Sequence, residues 1–114
     1  MDIIYYYYKI YYMRSEHPRP IFYRKEWLNL NGKWTCELSK NIKGFSNSKL
    51  NKNKFSKKIN VPFCPESKLS GIGHTDFIQE MYYQKSFSLP KSWKNKKILL
   101  HFGGIDYQSS VFIN

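Results

Sequence analysis

The chain has 114 residues, enough for one small domain with a limited core. Hydrophobic residues make up 41% and aromatics 18%, which excludes disorder throughout and favours pleated strands. The formal net charge is +11, from 19 Lys and Arg against 8 Asp and Glu, so an anionic partner has to be weighed.

The opening residues, MDIIYYYYKIYYMR, form too short an apolar run to span a bilayer. They carry neither a basic flank nor an obvious cleavage site. Residues 1–16 therefore read as an atypical Tyr-rich leader, with no membrane partner and a cytoplasmic location expected. HPRP, His17 to Pro20, is rigid and extended, because proline restricts both itself and the residue before it. It separates the leader from one domain expected over 17–114.

Asn31-Gly32 is the strongest short turn signal. The run after it, KWTCEL, alternates as a strand, with Trp34, Cys36 and Leu38 on one face. From Lys40 to Lys58 the chain is low-complexity Lys and Asn, with no Arg and no aromatic stacking pairs. A nucleic-acid reader uses those residues for base contacts, so the stretch reads as a solvated loop and nucleic acid as an unlikely partner. KINVP follows, with Ile59 and Val61 on a common face.

MYYQKSFSL, Met81 to Leu89, is the clearest strand: Tyr83, Lys85, Phe87 and Leu89 face one way. LPKSW then makes a turn. KKILLHFGG reads as another strand, and YQSSVFIN begins a third. Short strands at roughly ten-residue spacing between Pro, Gly and Asn turns point to an all-β sandwich or barrel. Cys36 and Cys64 form no CxxC pair and have no metal-ligand spacing with His17, His74 or His101. Two unpaired, mostly buried thiols are expected, with no metal and no cofactor.

The order of HPRP, EWLNLNGKW, INVPFCPESKLSGI, MYYQKSFSLPKSW and KILLHFGGIDYQSSVFIN resembles the N-terminal domain of family 2 glycoside hydrolases, which include β-galactosidases, β-glucuronidases and β-mannosidases. The resemblance covers His17 to Asn114. It implies a jelly-roll β-sandwich of the galactose-binding kind, with a carbohydrate (β-glycoside) partner. In family members an immunoglobulin-like domain and a TIM barrel follow, and those C-terminal domains would be further partners. The barrel carries the two catalytic Glu of a retaining mechanism. Neither matches a position here, so no catalytic residue is assigned. The family pattern continues past VFIN with a Gly and another strand, so the sandwich is expected to be incomplete at the C-terminus.

Glu66, His74, Asp76 and Glu80 lie close together in a Pro- and Gly-rich stretch. Two carboxylates can hydrolyse glycosides when held at the right separation, but Pro65-Glu66-Ser67 reads equally as a turn or cap. His74, between Gly73 and Thr75, reads as a loop side chain. A long inter-strand connection is the preferred reading. The resemblance adds that Glu66, His74 and Asp76 would contact sugar near the pocket of a full-length enzyme. Asp106 reads as a turn organiser, and Trp34 and Trp93 as packing residues. The leading function is a non-catalytic carbohydrate-binding and scaffolding domain. Its alternatives are a basic polyanion-binding module and a fragment with no independent function.

Overall fold

The computed structural model describes residues 21, 24–39, 55–105 and 107–113. The Tyr-rich start, HPRP, residues 40–54 and Asp106 lie outside the described residues, and with them most of the expected Lys/Asn loop. Among the described residues the fold is all-β: three strands, two short 3-10 turns and no α-helix.

The first strand, β1 (Gly32–Ser39), starts where the turn signal ends. The Asn31 amide donates to the Asn29 side-chain oxygen at 2.8 Å, which bends the chain just before the strand. Gly32 then takes φ 110°, a backbone conformation that only glycine adopts cheaply, and it is buried. The Asn-Gly signal therefore marks a strand entry rather than a hairpin, because Trp27 to Asn31 makes no ladder.

β2 (Lys57–Val61) and β3 (Glu80–Gln84) both pair antiparallel with β1, giving the sheet order β2-β1-β3. Trp34 lies opposite Ile59, and Cys36 lies opposite both Lys57 and Tyr83. Side chains opposite each other in an antiparallel pair share a face. One face thus carries Trp34, Cys36, Leu38, Ile59, Met81 and Tyr83. Cys36 and Ile59 are its fully buried apolar side chains. The other face carries Lys33, Thr35, Glu37, Lys58, Tyr82 and Gln84. The alternation expected for KWTCEL and KINVP is what the sheet displays, and β2 takes in Lys57 and Lys58, the last two residues of the expected Lys/Asn loop.

Because β2 and β3 flank β1 on opposite sides, residues 62–79 must cross from one edge to the other. The Ser67 amide donates to the Cys64 carbonyl at 3.0 Å, closing a turn with Pro65 and Glu66 at its centre. The Ser67 hydroxyl, not the Glu66 carboxylate, caps the 3-10 turn Lys68–Ser70 by accepting from the Leu69 amide at 3.1 Å. Ser70 is fully buried; its hydroxyl donates to the Ser67 carbonyl at 2.7 Å and accepts from the Ile72 amide at 3.0 Å. Gly71 ends the turn at φ 83°, and the Asn60 amide group ties the Leu69 carbonyl to β2 at 3.2 Å. Ser70→Ala leaves the Ile72 amide without its acceptor, at a cost of about 1–3 kcal/mol. A urea midpoint unchanged from the parent would show that the hydroxyl is dispensable.

The remaining expected strands differ from the sequence reading. Met81 to Gln84 joins the ladder, but Lys85 to Leu89 runs beyond it unpaired. LPKSW does turn, as the 3-10 segment Lys91–Trp93 after Pro90. KKILLHFGG and YQSSVFIN make no ladder among the described residues. Ile98, Leu99 and Leu100 are consecutive and all exposed, so neither side of that stretch meets a covering layer. Apolar alternation supplies a face for a strand, but a strand also needs a pairing partner and a covering layer, and among the described residues these segments engage neither. A surface ion pair between Lys96 and Glu26, at 2.9 Å, does reach across to this segment, though a pair so exposed contributes at most about 1 kcal/mol.

Both cysteines are free, as expected, but only Cys36 is buried; Cys64 is exposed, at the entrance to the Pro65–Glu66 turn. Burial pushes the Cys36 thiol up, with Glu37 adding to the effect and Lys57 opposing it. Thiolates are the reactive form, so Cys36 is doubly protected. Iodoacetamide on the native chain is expected to modify Cys64 alone, with Cys36 reacting only in denaturant. Equal labelling of both in the native state would contradict the burial of Cys36.

Candidate functional site

Glu66, His74 and Asp76 all belong to the crossover. The His74 amide donates to the Pro65 carbonyl at 2.9 Å, which pinches the loop into a neck. Glu66 lies just inside that neck and Asp76 just beyond it, both exposed, while His74 is half-buried. Cys64 and Glu66 come near Tyr83: its phenol is raised by burial first, then by the charges of Cys36, Glu66 and Cys64. Among the described residues no group of three His, Cys, Asp or Glu is placed to hold a metal ion.

Glu80 is separated from this loop by its role in β3. Its carboxylate accepts from the Tyr82 hydroxyl at 2.6 Å, and Phe55 stacks on the Tyr82 ring with centroids 6.1 Å apart. The hydrogen bond to Glu80, then desolvation and the Glu80 charge, push the Tyr82 phenol up to about 12. A group whose folded pKa is raised stabilises the fold below its unfolded pKa, about 10 for a tyrosine, and loses that contribution as pH rises through about 12. Tyr82→Phe is expected to remove the latest step from an ultraviolet titration of tyrosinate. If the latest step survives in the variant, it belongs to another tyrosine.

A second feature lies at the other end of the sheet. Lys58, Thr35 and Gln84 form one row across all three strands, because Thr35 lies opposite both of the others. Lys33 lies one step along the same face. These four, with Lys85, Ser86 and part of Trp34, line a cleft of about 480 Å³. The Lys85 ammonium sits 5.7 Å from the Trp34 ring centroid and donates to the Lys33 carbonyl at 3.1 Å. The indole N–H of Trp34 donates to the Leu30 carbonyl at 2.7 Å, so that ring is held from two sides. Lys33 and Lys58 are exposed and make no ion pair among the described residues. No carboxylate lines the cleft.

The cleft leaves no signal in the sequence, where the positive charge is densest in the Lys40–Lys58 stretch. Alternation does put Lys33 and Thr35 on the polar face, but only the register brings Lys58 and Gln84 beside them.

Compared with protein-family models and with curated proteins, the chain matches none.

Proposed function

We propose that the chain is a non-catalytic carbohydrate-binding and scaffolding domain of the family 2 glycosidase kind, with its sheet forming one layer of a jelly-roll sandwich. The observation that carries this reading is where the resembling stretches fall. NGKW opens β1, INVP closes β2 and MYYQ makes up most of β3, so three of the five landmarks pair in one antiparallel sheet. A sandwich layer needs one apolar and one polar face. The faces defined by Cys36 with Ile59 and by Lys33 with Thr35 fit that need.

The division of labour follows from the carboxylates. Glu66 is exposed at the centre of a turn, and Glu80 is engaged by Tyr82. A retaining glycosidase needs two carboxyls about 5 Å apart across a sugar. Chemistry is therefore assigned to a barrel outside this chain, with Glu66, His74 and Asp76 contributing at most loop contacts to its pocket. The purified chain is expected not to hydrolyse nitrophenyl β-galactoside, β-glucuronide or β-mannoside. Turnover above a buffer blank that disappears in Glu66→Gln or Glu80→Gln would overturn the non-catalytic assignment.

A further inference from the structure

We propose that the cleft at Lys33, Lys58 and Gln84 binds a short saccharide bearing a sulfate or carboxylate group. The anionic half of this ligand stands on the geometry of the cleft. Lys33 and Lys58 project from adjacent strands of the polar face, Lys85 stands at the cleft's side, and no carboxylate intervenes to neutralise them. Three lysines around one opening, with no carboxylate among the residues that line it, favour an anion.

The saccharide half draws on the size and lining of the cleft and rests on the carbohydrate reading above. A free oxyanion occupies a small part of about 480 Å³, whereas sites for small organic ligands span roughly 300–1,000 Å³. Thr35, Gln84 and Ser86 supply hydroxyl and amide groups that can both donate and accept, as sugar hydroxyls require. A nucleic acid fits less well. The cleft has no Arg for bidentate phosphate contacts, and its aromatic ring, Trp34, is half-buried under Lys85 rather than free to stack a base.

The test uses the full chain and amide chemical shifts. The probes are a sulfated chondroitin disaccharide, lactose, inorganic sulfate and a single-stranded oligonucleotide. The sulfated disaccharide is expected to shift residues 33–35, 58 and 84–86. Lys33→Gln with Lys58→Gln is expected to weaken it about tenfold, while Lys91→Gln with Lys94→Gln, the same charge change on the 3-10 turn, leaves it in place. Gln84→Glu, which sets a carboxylate in the cleft without touching a lysine, is expected to weaken it too and serves if the double variant fails to fold. Equal loss in both lysine pairs overturns the site, because it would report net charge alone. Lactose binding elsewhere on the chain, with no lysine dependence, overturns this proposal and leaves the carbohydrate reading standing. Inorganic sulfate binding as tightly as the disaccharide overturns the saccharide half. Tighter oligonucleotide binding through the same lysines, falling steeply with salt, overturns it in favour of a polyanion module.

Discussion

Ile59→Ala is expected to remove most of the stability of the sheet. Ile59 is 1% exposed, lies on β2 opposite Trp34, and shares the apolar face with Cys36, the other fully buried apolar side chain among the described residues. Truncating a buried Ile to Ala costs about 2–5 kcal/mol, from lost transfer free energy and from the cavity left behind. Small domains hold about 5–15 kcal/mol in all, and a sheet with so few fully buried side chains among the described residues belongs at the low end. With a urea slope of about 1–3 kcal/mol per M, the midpoint should fall by about 1 M or more, or the cooperative transition should vanish. Ile59→Val removes one methyl group and is expected to cost only about 0.5–1.5 kcal/mol. A midpoint for Ile59→Ala within experimental error of the parent would mean that the β2–β1 pairing is not where the stability resides.

The sheet was legible in the sequence where two signals agreed. KWTCEL and KINVP alternate with period two, and the positions that alternation makes apolar include Cys36 and Ile59, the fully buried apolar side chains among the described residues. In KKILLHFGG, by contrast, Lys-Lys is followed by three consecutive aliphatic residues. Such a run fits a strand covered on both faces, and composition cannot say whether a second layer is there to cover it. Without that layer, Ile98 to Leu100 stay exposed and no ladder forms. Local pattern predicts what a strand would bury; only tertiary partners decide whether it does.

The site was less legible, for a related reason. The loop from Glu66 to Asp76 was visible as a connection because Pro, Gly and Ser mark turns directly. Which residue would cap was not, since Glu66 and Ser67 are both able to accept a backbone hydrogen bond and only the fold places Ser67 over Leu69. The lysine cleft depends on residues 33, 58 and 84 meeting, and that meeting is set by strand register. Register follows from matching the apolar faces of three strands at once, Trp34 to Ile59 and Cys36 to Tyr83. One strand read alone carries no trace of it.

The isolated chain is expected to self-associate, more strongly as salt rises. Phe87, Leu89, Ile98, Leu99, Leu100, Phe102, Val111 and Phe112 are all more than two-fifths exposed. They fall on segments that make no ladder among the described residues, and exposed apolar side chains on such segments offer a template for association. At about 25 cal/mol per Å², burying a few hundred Å² between two copies is worth several kcal/mol. Opposing it is a net charge of +11 on each copy. That repulsion acts over a screening length of about 30 Å at 0.01 M salt but only about 3 Å at 1 M, whereas the apolar term is not screened. Association should therefore grow across that range, the reverse of an ion-pair interface. Size-exclusion chromatography with light scattering measures it directly, and Leu99→Glu with Phe112→Glu should return the chain towards a monomer. A monodisperse monomer at both salt limits would mean that the exposed apolar run is already satisfied within the chain, and that the sheet is a complete folding unit without a second layer.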